Sequence, residues 1–263
     1  MPYLMESPKE AERLLMKSDE ESSRAQLLLT GLKPGMTAID AGGGVGFVTR
    51  IMSQIVGPKG RVYLIDQSDI RLKAAKEQMK ALRNVLYLDS SLENIKLDSN
   101  IIDYSWCRFV FEYLPEQKKA FDEIYRVSKA GGKIAIGDLD YNCMSHFPLA
   151  PHLEQQLNQI ISELQRLKLW DPYAGRKLFS YFNEAGVKDI KVHLLPHHLI
   201  YGESQRRDID NWVAKMEMIK ELSSKGMLKF NFDLDSFKNE FFAFFENPSR
   251  FSYSPLILVE GVK

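Results

Sequence analysis

Charge of one sign is the first thing this chain lacks: 35 lysines and arginines meet 35 aspartates and glutamates. With no net charge there is no overall pull toward nucleic acid or anionic membranes, so neither is expected as a partner unless a local patch supplies the attraction. Cysteine is almost missing. The two present, Cys107 and Cys143, have no C-x-x-C neighbour, which argues against a disulfide framework and a zinc site and fits reduced thiols in the cytoplasm. No apolar run approaches the ~18 residues of a membrane span. The opening stretch through Ser22 is too charged for a signal peptide. Internal repeats and low-complexity tracts are absent as well.

What is present is ordinary globular material, 44% hydrophobic over 263 residues, enough for one large α/β domain or a domain with an insertion. From Lys9 to Leu29 the pattern is helical and reads as two helices broken near Ser18–Ser22, ending at Gly31 and the Lys33-Pro34-Gly35 turn. A strand at Thr37–Asp40 runs into Gly42-Gly43-Gly44-Val45-Gly46 and a helix, Phe47–Val56. The unit recurs: strand Arg61–Ile65 ending at Asp66, a helix through Ala81, strand Val85–Leu88 ending at Asp89, strand Ile101–Trp106, helix Glu116–Ser128 and strand Lys133–Gly137. Strands alternating with helices of this length imply a parallel, doubly wound α/β sheet with right-handed crossovers.

After Asp138 the rhythm changes. A helix at His152–Leu169, a helix at Gly175–Ala185 and a strand at Val187–Leu195 precede a mainly helical stretch, 203–250, and a last strand, Leu256–Val262. The expected organisation is a helical segment, 1–30, covering the site; a core of 31–202 and 251–263; and an insertion, 203–250, acting as a substrate cap.

The most informative segment is Ala38-Ile39-Asp40-Ala41-Gly42-Gly43-Gly44-Val45-Gly46. A glycine turn between strand and helix lets a ligand approach the backbone closely, and ligands of open α/β sheets bind beyond the carboxyl ends of the strands. Asp40, two residues before the first glycine, suits a cationic ligand and would repel a pyrophosphate. The dinucleotide pattern G-x-G-x-x-G fails at its third glycine, where Phe47 stands. Asp66 ends the next strand, where an acid accepts hydrogen bonds from both ribose hydroxyls of an adenosine ligand.

The spacing Asp40-x-Gly42-x-Gly44-x-Gly46 resembles motif I of class I S-adenosylmethionine-dependent methyltransferases. The runs Leu32–Met36, Val56–Val62, Glu123–Val127 before Gly131-Gly132, and Asp171–Arg176 ahead of Glu184–Val187 are similar to the quinone-biosynthesis-type family, over about Glu12 to Val192. The resemblance implies a Rossmann-like, seven-stranded sheet in the order 3-2-1-4-5-7-6 with strand seven antiparallel. It implies S-adenosyl-L-methionine as cofactor, with Asp40, Ala41, Gly42 and Gly44 near the methionine moiety. By the same pattern Asp66 and Gln67 hold the ribose, Ser90, Ser91 and Leu92 the adenine edge, and Arg108 and Phe109 the methionine side. The chain departs from the pattern where an adenine-binding aspartate is usual: Ser91 stands there, with Asp89 two residues earlier, and either could contact the adenine.

Methyl transfer requires aligned reactants, exclusion of water and a base where the nucleophile carries a proton. Base candidates follow strand five: Asp138, Asp140, Tyr141 and His146, the histidine because its ordinary pKa lies near neutrality. Each also reads as a surface or capping residue. Tyr3, Trp106, Phe109 and Tyr113 offer ring faces to a sulfonium or an acceptor, though Trp106 reads first as core. The rings Phe237, Phe241, Phe242, Phe244 and Phe245 cover more than one helical face. They pack the insertion onto the sheet, or form an apolar acceptor pocket or a contact with a membrane-borne lipid. Glu203–Asp208 reads as a solvated loop. The Asn/Asp-Pro-Pro-Tyr/Phe signature of adenine methylation and the paired glutamates of protein-arginine methylation are both absent.

The resulting expectation is a cytoplasmic methyltransferase acting on a small-molecule acceptor, apolar or aromatic, with no metal and no nucleic acid. The rival is a catalytically inactive, methyltransferase-like binding or regulatory protein, for which Ser91 is the sequence support. The residues name neither the methylated atom nor the oligomeric state.

Overall fold

The structure is a computed structural model describing residues 19–142, 144–203 and 206–263. Five strands, β1 (Thr37–Ala41), β2 (Arg61–Asp66), β3 (Val85–Asp89), β4 (Ile102–Arg108) and β5 (Ser128–Leu139), pair in parallel in the order β3-β2-β1-β4-β5. Both faces of this sheet are covered, which is why its strands are apolar at successive rather than alternate positions. On one face α1 (Glu20–Leu29) and α2 (Phe47–Val56) lie over a cluster containing Leu27, Ala38, Ile51, Val62, Tyr104 and Trp106. On the same face α3 (Asp69–Gln78) packs Leu72 and Ala75 on Leu64. On the other, α4 (Gln117–Val127) and α6 (Ala174–Glu184) bury Phe121, Ile124, Leu178 and Phe182 against Ile39, Ile65, Ile134 and Ile136.

The sheet is completed by β6 (Ser145–Phe147), β7 (Lys188–Tyr201) and β8 (Phe251–Val262). β8 lies between β5 and β7 and is antiparallel to both, so the expected order, with its reversed last strand, is present. The strand count differs from expectation: among the described residues the sheet has eight strands, not seven. The addition, β6, continues the line of β5 along the far end of β8; three residues are too few to leave a periodic signal. β7 and β8 also extend well past the expected limits. Pro196 and Pro255 stand opposite one another beside a bulge, where a missing N–H is tolerated.

The chain between β5 and β8 forms a helical layer. α5 (Pro151–Arg166), α7 (Arg206–Ser224) and α8 (Leu234–Phe245) share a cluster in which Leu157, Ile160 and Leu164 meet Trp212, Ile219, Phe237 and Phe241. The ring-rich segment therefore closes largely on itself: Phe237 stacks on Phe241 at 5.2 Å and Phe241 meets Trp212 at 4.8 Å. α8 starts at Asp233, whose side chain accepts the Ser236 amide at 2.7 Å.

At the N-terminal end α1 is capped by Asp19, whose side chain accepts the Glu21 amide, so Ser22 lies inside the helix rather than at a break. The expected earlier helix from Lys9, with Leu14 and Leu15, falls outside the described residues, as do Tyr3, Cys143, Ser204 and Gln205. Cys107 is buried with a free thiol. Among the described residues, no helix is long and apolar enough to cross a membrane, and no cluster of histidine, cysteine or carboxylate ligands could hold a metal.

Candidate functional site

A cavity of about 590 Å³ opens beyond the carboxyl ends of β1, β2, β3 and β4, at the place where the chain leaves β1 toward β2 on one side and β4 flanks it on the other. Among the residues expected to hold a cofactor, Asp40, Gly42, Gly44, Asp66, Gln67, Ser90, Ser91, Leu92, Arg108 and Phe109 all line it. Ala41 does not. It is the last residue of β1, and its side chain joins the buried cluster beneath α4 and α6.

Two glycines fix the shape of the turn. Gly44 has φ +56°, and a side chain there would meet only Arg71 Cδ at 3.8 Å, so its surroundings are otherwise open. Gly46, φ +86°, has the opposite problem: an added Cβ would lie 2.3 Å from Met79 of the α3 end.

Asp40 is buried and its Oδ2 accepts the Thr49 hydroxyl at 2.6 Å. Burial pushes its pKa up to about 6, against the hydrogen bond from Thr49 and the pull of Arg108. Asp66 ties three segments together. Its Oδ2 accepts the Gly44 amide at 3.0 Å, and its Oδ1 accepts the Ser68 amide at 2.9 Å and Arg71 Nη2 at 2.9 Å. Arg71 also lines the cavity.

On the third side, Ser90 is buried and holds its own loop, donating to Asn94 O at 2.8 Å. Ser91 lines the cavity and caps the Glu93 amide at 3.2 Å, while Asp89 is exposed and absent from the lining. Glu93 is a lining residue that no motif marked. Opposite, Arg108 donates to Gln26 Oε1 at 2.8 Å and Ser23 Oγ at 3.0 Å, so a residue of β4 anchors α1 beside the cavity. Burial lowers its pKa to about 10, which leaves it charged at neutral pH. Phe109 adopts φ +60°, an uncommon conformation for an aromatic residue, with its amide bonded to Gly137 O at 3.0 Å.

The residues after β5 go elsewhere. Asp140 pairs with Arg176 at 2.7 and 2.9 Å, and Tyr141 packs near Tyr173 with ring centroids 6.0 Å apart. His146 bonds Ser252 Oγ through Nδ1 at 2.8 Å and sits among the rings of Trp212, Phe241 and Phe244. None of the three is in the cavity lining. β5 carries the chain past the crevice to Leu139, and the following residues fold beneath the helical layer. Asp138, fully buried, accepts the amides of Val110, Glu112 and Leu139 at 3.1, 3.1 and 2.8 Å and so shapes the loop after β4.

That loop supplies what the sequence reading gave little weight. Tyr113 lines the cavity and also a second, apolar slot of about 40 Å³ bounded by Ile160, Leu164, Trp170, Trp212 and Lys215. Behind it, Glu112 is buried, accepts Trp170 Nε1 at 2.7 Å and Asn142 Nδ2 at 2.8 Å, and bonds the side chain of Tyr113. Burial raises the pKa of Glu112 and of Asp138, and for Asp138 the neighbouring Glu112 charge adds to the effect.

Fold and crevice together define a Rossmann-like α/β protein with a reversed strand and a polar crevice beyond the carboxyl ends of its parallel strands. Residues 39–136 match the family model described as a methyltransferase domain. Over that stretch the chain is similar to methyltransferase domains. It is similar to the ubiquinone/menaquinone biosynthesis C-methyltransferase of Citrobacter koseri, at 32% identity over 110 residues, which are 41% of this chain and 44% of that protein. The chain thus matches under half the length of that relative. Among solved structures it resembles a SAM-dependent methyltransferase from Aquifex aeolicus, with TM-score 0.53, 26% identity, and 75% and 93% of the two chains covered. The structure of a putative methyltransferase from Bacillus halodurans shares the fold over 92% of this chain and 98% of that one, at TM-score 0.63 and 15% identity.

Proposed function

We propose that the protein transfers a methyl group from S-adenosylmethionine to a small apolar or aromatic acceptor in the cytoplasm. The observation that supports this most is the convergence of Asp40, Asp66, Ser91 and Arg108 on one cavity whose fourth wall is a glycine turn. The residues fit that donor. Asp40 and the open turn at Gly44 suit its cationic methionine half, and Arg108 offers a charged partner for its carboxylate. Asp66 presents a carboxylate for the ribose once Arg71, which now bonds it, turns aside. Ser91, Leu92 and Glu93 line the region left for the base. When bound, the donor supplies an activated methyl that needs in-line alignment with a nucleophile.

The chain's own contribution is positioning and dehydration. Tyr113, between the cavity and the apolar slot, is placed to face an acceptor, and Glu112 behind it is placed to hold or receive a proton through the tyrosine hydroxyl. α1 and the helices α7 and α8, together with α5, are read as covers that exclude water. Asp140, Tyr141 and His146 carry no part in this scheme. The test is calorimetric titration with S-adenosylhomocysteine, followed by turnover of labelled donor with aromatic and quinol-like acceptors. Failure to bind at millimolar ligand rejects the proposal. Binding without turnover on any acceptor favours the inactive, regulatory reading.

A further inference from the structure

At the far end of the sheet the apolar side chains face the wrong way. β7 and β8 run on past the crevice as a paired ribbon, with β6 on the other flank of β8. Successive residues of a strand point to opposite faces. At the Phe251 end of β8 the face carrying Ser252 and Ser254 is the covered one: both are buried, and Ser252 bonds His146 beneath the rings of α7 and α8. The opposite face carries Phe251 and Tyr253, both open to solvent. Register places Tyr201 and Phe147 on either side of Phe251, and Leu199 beside Tyr253. Farther along that face, where α6 closes over Val259, the edge strand still exposes Leu194 beside Ile257 and Val192 beside Val259. Phe147 is 70% exposed, and Leu194 and Tyr201 are each 71% exposed. A half-covered antiparallel pair ordinarily turns polar residues outward and apolar residues inward. Here two serines are inside and the rings are outside.

We infer that this face is the surface on which a second copy of the chain docks, the two stripes packing against each other across a two-fold axis. Its size fits. Taking roughly 200 Å² for an aromatic side chain, the four rings Phe147, Tyr201, Phe251 and Tyr253 expose on the order of 450 Å². Val192, Leu194 and Leu199 extend the area toward the ~800 Å² per partner of a standard interface, whereas the largest apolar patch of a monomer is about 300–600 Å². The stripe holds no charged side chain, and the chain has no net charge, so two identical surfaces meet without repulsion. A two-fold interface demands such a self-complementary patch. β7 is also a sheet edge, which an assembly would shield.

Sedimentation velocity and light scattering on the full chain over the micromolar range test this. The expected result is a dimer for the wild type and monomers for Leu194→Glu, Tyr201→Glu and Tyr201→Lys, with unchanged melting of the exposed-site variants at low concentration. Mixing Tyr201→Glu with Tyr201→Lys is expected to restore dimers. A monomeric wild type overturns the proposal, and its co-sedimentation with neutral phosphatidylcholine vesicles would reassign the face to a lipid surface. A dimer that survives all three substitutions overturns it too, because the interface then lies elsewhere.

Discussion

The carboxylate of Asp66 accepts the amide proton of Gly44 at 3.0 Å, so the acid ending β2 holds in place the turn that follows β1. The same carboxylate holds the start of α3 through Ser68 and Arg71. One side chain thus sets the shape of two walls of the cavity before any ligand arrives.

Asp66→Ala removes both that support and the proposed ribose acceptor. Donor affinity should fall by about 1–3 kcal/mol, the scale of losing charged hydrogen bonds. Calorimetry with S-adenosylhomocysteine measures it; wild-type affinity would remove Asp66 from the site. Arg71→Ala should act in the other direction, raising affinity severalfold by freeing the carboxylate, and a weaker complex would contradict the competition.

Asp40 makes binding depend on pH. Its pKa of about 6 in the folded chain exceeds the ordinary carboxylate value because of burial. A raised acid stabilises the fold while protonated, fully so below its unfolded pKa, and that contribution is lost as pH rises through about 6. A cationic ligand favours the ionised form. Donor affinity should therefore rise through the same interval, with a proton released on binding near pH 6 and none released by Asp40→Asn. Titrations in buffers of different ionisation enthalpy detect that proton; its absence in the wild type would separate Asp40 from the cation.

Gly46→Ala should destabilise the fold by roughly 1–3 kcal/mol, combining the cost of a positive φ with the clash against Met79. Chemical denaturation measures the loss, and a neutral result would show that α3 yields freely.

Phe241 is fully buried among Phe237, Phe244, Phe245, Trp212 and His146. Phe241→Ala should cost about 3–5 kcal/mol and lower the melting temperature without changing donor affinity, because the ring lies outside the cavity. His146→Ala should likewise spare turnover. A selective loss of turnover at unchanged stability would return His146 to the list of bases.

The site was legible where backbone chemistry dictates residue type. A glycine turn after a strand, an acid two residues before it and an acid ending the next strand are local patterns, and the cavity collects them. The loop after β4 was not legible in the same way. Glu112 and Tyr113 belong to a short 3₁₀ turn, Phe111–Tyr113, with no periodicity, and their importance comes from Trp170, Asn142 and Trp212, remote in sequence. His146, Asp140 and Tyr141 follow the right strand, but the length of β5 carries them past the crevice, and length is where strand reading is weakest.

By itself the sequence determined the alternation of strands and helices, hence the parallel sheet, its crossovers and the position of the crevice, because periodicity and glycine placement act within a few residues. Tertiary structure alone decided which polar groups meet across the crevice, the fate of the phenylalanine-rich helix, and the open apolar face of Phe147, Tyr201 and Phe251. Those depend on register between strands separated by up to a hundred residues, and no local pattern encodes which face of a ribbon a distant helix will cover.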